Sequence, residues 1–417
     1  APGGATAFLF GLAAALRDGA ESPESPVADV LRGAESVVIL WGERVAREGE
    51  GAARALLDVA STLGIEEQDG SGLLEAPDFA NARGLREAGC LPDAGPGLSE
   101  TATGMSTEEI RAALEFGELT GLILFGVDPI RDFPDTAAWE AALTAADFVV
   151  SYSMFENGTT AKADVVFPLE THAEKDGTVT HPDGRLQRVR HSAALPGDIR
   201  PNWSVLSELA ADLGLTTGID SQPTAFAALR AAVPFYADID DATIGGRGVR
   251  WQETAAAANV PPAGSELPGS ERASGADSPD TQREAPTLSS EAISDPRRVA
   301  SAESAPLAPP PPRGEILALG TYRDLWAGPI TELNPPLRFL APRQRLEVSP
   351  ADAERMSLRS GEKVRVSQNG SSVEAEVQIR ERVAEGVCFL AEGVAEGNAN
   401  ALLNGGPVSV EITRVEG

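Results

Sequence analysis

Four short apolar runs punctuate the first part of the chain, at residues 36–41, 121–125, 148–152 and 164–167. Each is β-branched or aromatic-rich and nearly free of polar residues, as in strands buried on both faces of a parallel sheet. Between them the apolar period lengthens to three or four. Ala53, Leu56, Ala60 and Leu63 share one helical face, and residues 6–16 and 137–143 also read as helix. Ser106 followed by Glu109 predicts a helix opened by a capping box. Strands alternating with helices predict a doubly wound, mostly parallel α/β sheet. Beyond it, Pro201 opens a helix with Leu206, Leu209 and Leu213 on one face and Gly214 as its stop. A further helix is expected over residues 223–233.

The pattern breaks at residue 253. Pro, Ser, Ala, Gly and Glu then dominate, and four prolines run from Pro309 to Pro312. Such a stretch buries too little apolar surface to offset its ordering entropy, so residues 253–312 read as a disordered linker. Order returns afterwards. Ser349 and Pro350 start a helix that should end near Gly361. Residues 363–368 alternate in the strand period, Asn369-Gly370 is a hairpin turn, and residues 372–380 alternate back. Two more strands, at 387–390 and 407–413, complete the pattern of a small β-barrel. The division is therefore an α/β domain over 1–252, a linker over 253–312 and a barrel over 313–417.

Composition narrows the function. The chain has 417 residues, 42% hydrophobic and 23% charged, which suits two or three globular domains. Its net charge of −29 repels phosphate backbones and argues against nucleic-acid binding. No apolar run approaches the roughly 18 residues of a membrane span, so direct membrane insertion is not expected. The chain starts at Ala1 within a few residues of a helix, which reads as a fragment without a secretory leader. The two cysteines, Cys90 and Cys388, read as buried free thiols in a reducing compartment. They are too few for an iron–sulfur cluster, which needs four thiolates.

Candidate chemistry is concentrated after the predicted strands. Gly126-Val127-Asp128-Pro129 follows the second run, where open α/β sheets bind ligands. The fourth run ends at Pro168 and leads into Glu174-Lys175-Asp176-Gly177-Thr178 and Asp183-Gly184-Arg185-Leu186-Gln187. Glu174, Lys175 and Asp176 are of the acid–base or ion-pairing type, although exposed charge clusters are usually solvated surface. His172, His181 and His191 fit neither zinc spacing nor a paired helical arrangement, and no protein-ligated metal is expected. Phosphate-loop, Gly-x-Gly-x-x-Gly, Gly-x-Ser-x-Gly and Cys-x-x-Cys motifs are absent from the sequence. No catalytic residue is assigned.

Residues 163–168, 174–178 and 184–187 together resemble the molybdopterin oxidoreductase family, and residues 315–416 resemble its dinucleotide-binding domain, a double-psi β-barrel. Asn81-Ala82-Arg83-Gly84, Gly89-Cys90-Leu91-Pro92, residues 319–326 and Phe339-Leu340-Ala341 with Arg343-Gln344 resemble one branch more closely. That branch is the large iron–sulfur subunit of NADH-quinone oxidoreductase (complex I), here in its carboxyl-terminal portion. The resemblance implies that Gly126, Asp128 and Pro129 would face one nucleotide. It places Glu174, Gly177, Thr178 and Arg185 at the pterin cleft, with Gly320, Thr321 and Asn398 or Asn400 approaching from the barrel. The cofactor this implies is a molybdopterin guanine dinucleotide, but the complex I branch keeps the fold without the molybdenum cofactor. The expectation is therefore no cofactor bound by this chain, with iron–sulfur clusters confined to a region preceding it. The implied role is structural, beside other subunits of the complex I peripheral arm on the cytoplasmic face of the membrane. The alternative is the dinucleotide-binding part of a formate dehydrogenase-like oxidoreductase.

Overall fold

The computed structural model describes residues 2–19, 21–197, 199–261 and 316–415. The first part opens with helices α1 (Ala5–Asp18) and α2 (Ser25–Arg32), then strand β1 (Val38–Gly42), helices α3 (Glu43–Arg47) and α4 (Glu50–Leu63), and strand β2 (Gly72–Ala76). β1 and β2 pair in parallel as a two-stranded sheet, with Leu40 opposite Leu74. Leu12, Leu16, Ala28 and Val59 of the helices pack with Ile39 on one face of it.

Helices α5 (Ala82–Glu87) and α6 (Thr107–Glu115) follow, then β3 (Gly121–Phe125), α7 (Pro129–Asp132), α8 (Thr136–Ala145), β4 (Phe148–Ser153) and β5 (Val165–Pro168). The order β3-β4-β5 is parallel throughout. The capping box at α6 forms as the spacing predicts: Glu109 N–H donates to Ser106 Oγ at 3.3 Å and Ser106 N–H to Glu109 Oε2 at 2.7 Å. Leu124, Leu143 and Val149 fill the side under α8, while Val150, Tyr152, Leu169 and Val205 fill the opposite side.

A third unit carries the polar hairpin, β6 (Gly177–Thr180) and β7 (Arg185–Val189), with a short β8 (Val249–Arg250) on its edge. Helices α9 (Asn202–Asp212), α10 (Gln222–Ala232) and α11 (Asp241–Ile244) lie between. Leu186, Phe226, Phe235, Tyr236 and Trp251 form its core. Residues 255–259 are 3₁₀-helical, Ala256 is buried, and Ala257 and Val260 pack on this core. Folded structure thus continues past residue 253, where the linker was expected to begin; residues 262–312 of that stretch lie outside the described residues.

The last part is a closed six-stranded barrel, ordered β10-β12-β11-β14-β9-β13. Its strands are β9 (Ile316–Arg323), β10 (Arg345–Val348), β11 (Lys363–Gln368), β12 (Ser371–Ile379), β13 (Val387–Glu392) and β14 (Val408–Arg414). Helix α12 (Pro329–Leu333) lies on the excursion between β9 and β10, and α13 (Pro350–Arg355) caps one end. The strand period of residues 371–379 places Val373, Ala375 and Val377 inside. Asn369 and Gly370 both take positive φ in the β11–β12 turn, which explains the Asn-Gly choice.

Four expectations need correction. Two of the runs expected to be buried on both faces are covered on one, with Leu40 67% exposed in β1 and Ile123 61% in β3, whereas β4 is buried on both faces at Val149, Val150, Ser151 and Tyr152 as expected. Of the α9 face, Leu206 and Leu213 are exposed and Val205 alone is buried, because the helix touches the sheet along a narrow line. α13 ends at Arg355 and not near Gly361, since Ser357 turns to φ +55. Cys90 is exposed; Cys388 is buried in the barrel, where burial pushes its thiol pKa far up.

A candidate functional site at the seam between sheet and barrel

The loop Gly126–Pro129 leaves β3 at the carboxyl end of the sheet. Gly126 holds φ +70, and its N–H donates to Tyr152 O at 2.9 Å. A side chain there would be strained by the backbone alone. Asp128 accepts from the Thr159 hydroxyl through Oδ1, and its own N–H donates to Asp132 Oδ2 at 3.0 Å. Burial raises the Asp128 pKa against the lowering effect of the Thr159 bond. Pro129, buried, starts α7.

That short helix aims Arg131 at the barrel. Its guanidinium forms a two-bond fork with Glu332 of α12, Nη1 to Oε2 at 2.8 Å and Nη2 to Oε1 at 2.6 Å. Nη2 also donates to Gly393 O. The Arg131 carbonyl accepts from both barrel asparagines: Asn398 Nδ2 at 2.9 Å and Asn400 Nδ2 at 2.7 Å. Asp135 N–H closes the ring on Asn400 O at 2.9 Å. The two asparagines expected to face a nucleotide thus have their amide donors on the chain's own backbone.

A second staple crosses nearby. Arg47 of α3 donates from Nη1 to both carboxylate oxygens of Glu392 at 3.2 Å and from Nη2 to Asp78 Oδ2 at 3.2 Å. Arg47 Nε reaches Glu43 Oε1 at 3.2 Å. Glu392 accepts the Thr321 hydroxyl, and Arg44 donates to Thr321 O. Glu43 is pushed up to about 7, chiefly by burial and then by its bond with Asp78, while Arg47 pulls the other way. Gly320 lies under the ring of Phe389: a Cβ there would meet ring atoms at 2.4 Å, so this glycine serves packing.

The remaining expected residues are on the hairpin side. Glu174 closes its own turn, accepting Thr171 N–H through Oε2 at 2.8 Å. Gly177 and Thr178 begin β6 opposite Val189 and Arg188. Arg185 is paired with Asp183, which also accepts Arg185 N–H at 3.0 Å. His181 and His191 are exposed and bond to Asp183 at 2.8 Å and Asp176 at 2.6 Å. The hairpin is fixed from behind by buried Glu87, which accepts Arg83 Nε at 2.8 Å, Trp251 Nε1 at 3.1 Å and the Tyr236 hydroxyl. Asn81 Oδ1 accepts Thr180 N–H at 2.8 Å. The Asn81–Gly84 motif is therefore a strut for the hairpin.

A cavity of about 430 Å³ opens beyond β4 and β5, against α12. Met154, Phe155, Thr171, His172, Ile330, Leu333, Asn334 and Pro335 line it. Its position is where an open sheet binds ligands. The lining is mostly carbon, whereas a pyrophosphate needs converging cations or N–H donors. Arg131 and Arg47 could supply charge, but both are neutralised by carboxylates. As arranged, these residues do not fit the phosphate-bearing half of a dinucleotide. Sequence reasoning missed Arg47, Arg131, Glu332 and Glu392; only the fold brings these distant positions together.

Comparison with known proteins follows this division. The model of the molybdopterin oxidoreductase family matches residues 23–212, and that of the molydopterin dinucleotide binding domain matches residues 317–412. The chain is 28% identical to NADPH-Fe(3+) oxidoreductase subunit alpha of Geobacter sulfurreducens, over 97% of this chain and 45% of that protein. It is 26% identical to F420-dependent formate dehydrogenase 2 subunit alpha of Methanococcus maripaludis, over 84% and 52%. It is 35% identical to a subunit of NADH-quinone oxidoreductase of Streptomyces coelicolor, over 45% and 23%. The chain spans about half the length of the first two. Acetylene hydratase from Pelobacter acetylenicus superposes with a TM-score of 0.56 at 11% identity, over 99% of this chain and 70% of that one, a likeness of fold.

Proposed function

We propose, from the premise that this chain belongs to the molybdopterin oxidoreductase family, that it forms a structural part of a large subunit in a multi-subunit oxidoreductase, on the pattern of the large iron–sulfur subunit of NADH-quinone oxidoreductase. The observation that carries this reading is the seam. Asn398, Asn400 and Thr321 are bonded to Arg131, Glu392 and Arg44 of the chain itself. A carboxylate stands against the guanidiniums of Arg47 and Arg131. In this reading the α/β region and the barrel are held as one rigid support, and electron carriers such as iron–sulfur clusters belong to other parts of the assembly. Its partners are neighbouring subunits, and among the described residues no helix is long and apolar enough to cross a membrane.

The second reading, a formate dehydrogenase-like subunit holding a molybdopterin guanine dinucleotide, is favoured by the long alignments to the formate dehydrogenase alpha subunits. One experiment divides the two. The protein is purified from its native host with whatever subunits accompany it, and molybdenum, tungsten and released pterin are measured. The structural reading expects association with other redox subunits, no stoichiometric molybdenum or tungsten, and a melting temperature unmoved by millimolar GDP. One metal per chain with a fluorescent pterin, or a chain that purifies without a redox partner, overturns it.

A further inference from the structure

The second staple of the seam carries more acid than its own arginine can balance. One guanidinium, Arg47, serves three carboxyl groups: Glu43 Oε1 of its own helix, Asp78 Oδ2 in the loop after β2, and both oxygens of Glu392 at the end of β13, each at 3.2 Å. Glu43 and Asp78 also bond to each other. Ionised carboxylates only accept, so that bond needs a proton between them. The other charges nearby are engaged elsewhere or on the far side of Asp78. Arg44 of α3 donates to Thr321 O, and Arg323 of β9 stands 4.0 Å from Asp78 and 5.1 Å over the Phe79 ring. Glu75 of β2 is forked by Arg86 of α5, and Glu48 accepts the Ala5 and Thr6 N–H groups at the start of α1, at 3.0 and 2.7 Å. Glu50 and Arg54 of α4 pair with each other. Arg47 and Asp78 are thus the charges that act on Glu43.

The backbone around Asp78 is placed to respond. Residues 77–80 span two anchors: Ala76 pairs with Gly42 at the end of β2, and Asn81 Oδ1 accepts Thr180 N–H at 2.8 Å. Between them, Asp78 and Phe79 pin the loop to the barrel through Arg47, which also holds Glu392, and through Arg323. We propose that Glu43 and Asp78 form a proton-operated latch that closes this loop on the barrel. With the shared proton in place, Asp78 stays beside Glu43, Arg47 and Arg323. When the proton leaves to solvent, two carboxylates face each other across one guanidinium, and Asp78, the one on a loop, swings out with Phe79. The Arg131 fork and the two asparagines share no proton, so that half of the seam stays closed. Burial and the bond with Asp78 raise Glu43 to about 7, so the latch is closed below that pH and open above it. This goes beyond the reading of the seam as a rigid support and holds with or without a bound cofactor.

The test is a nitroxide spin label in the full chain at Ala80→Cys, an exposed position of the loop, with Cys90→Ser removing the exposed native thiol and Cys388 buried. The rotational correlation time of the label should be at least about threefold shorter at about pH 8 than at about pH 6. Glu43→Gln keeps a donor toward Asp78 but has no proton to lose, so its loop should stay slow at both pH values. A label at Ser372→Cys, exposed on β12 across the barrel from β9, should not respond. Equal correlation times at Ala80→Cys over this range overturn the proposal. So does an equal response at Ser372→Cys, which means general loosening, or a response that survives in Glu43→Gln. The two label positions decide without any substitution in the latch, so the outcome stands if Glu43→Gln does not fold. The readout is blind to metal, pterin and partner subunits, so its failure is distinct from failure of the structural reading.

Discussion

The barrel and the α/β region solve the same problem in opposite ways. The barrel gathers Leu317, Leu346, Val364, Val377, Leu390, Val410 and their neighbours into one buried cluster and closes its sheet on itself. The α/β region distributes its apolar residues over several smaller clusters and leaves strands with bare faces. Closure removes edges, whereas an open sheet needs covering from outside itself. The difference teaches that closing a sheet on itself gathers its apolar residues into one core, whereas short open sheets divide theirs among several cores and leave apolar side chains on the surface.

The largest expected effect tests that contrast directly. Leu346→Ala or Leu390→Ala, both fully buried, should cost about 2–5 kcal/mol in denaturant unfolding. Leu40→Ala and Ile123→Ala on the bare faces should stay within about 0.5 kcal/mol in the chain alone. Equal losses at the two kinds of position would end the contrast.

Next in size is the strut behind the hairpin. Glu87→Ala leaves Arg83, Tyr236 and Trp251 without their shared acceptor and should cost about 3 kcal/mol, with proteolysis appearing between β6 and β7. Arg131→Ala should cost about 2 kcal/mol by losing charge-assisted bonds, read as a calorimetric transition in which barrel and α/β region separate. A single undivided transition at unchanged temperature would show that the seam bears little load.

How much of this was legible in sequence follows from the range of the forces. Local signals held: the Ser106 capping box, the Asn369-Gly370 turn and the strand alternation at residues 371–379 are interactions within a few residues, visible in one line of text. β2 and β10 were missed, because Gly72-Leu73-Leu74-Glu75-Ala76 and Arg345–Val348 carry too few β-branched residues to stand out. Exposure of Leu40 and Ile123 was also illegible. An apolar run reports what a strand wants beside it, and not which neighbour supplies it. The seam was least legible of all. Asn398 and Asn400 were noticed, but their partner Arg131 lies far away in sequence and carries no local mark.

The smallest effects concern acidity. Asp352 is fully buried in the barrel; burial raises its pKa, but Arg355 at 2.6 Å, Ser349 and the Gly386 N–H together hold it below the usual carboxylate value. A depressed carboxylate stabilises above its unfolded pKa, and that stability is lost as pH falls through the folded value. Asp352→Asn should therefore flatten the acid limb of barrel unfolding below about pH 4. Glu43 has the opposite sign. Its pKa, raised to about 7 by burial and Asp78, gives stability that is present below the unfolded value and declines as pH rises through about 7. Glu43→Gln should remove a small decline in melting temperature between about pH 5 and 8. Identical pH profiles for wild type and variant would remove Glu43 from the seam's energetics.

The pairing of β9 also sets a schedule. β9 is flanked by β13 and β14, near the far end of the chain, so the barrel cannot close until nearly all of it has been made. Loop closure of that length is slow compared with the nearby pairings of β1 with β2 or β3 with β4. The bare strands of the α/β region thus form while the barrel is still open. Arg47 and Arg131 cannot complete their seam bonds until Glu392 and the asparagine pair, more than 250 residues further along, have been made.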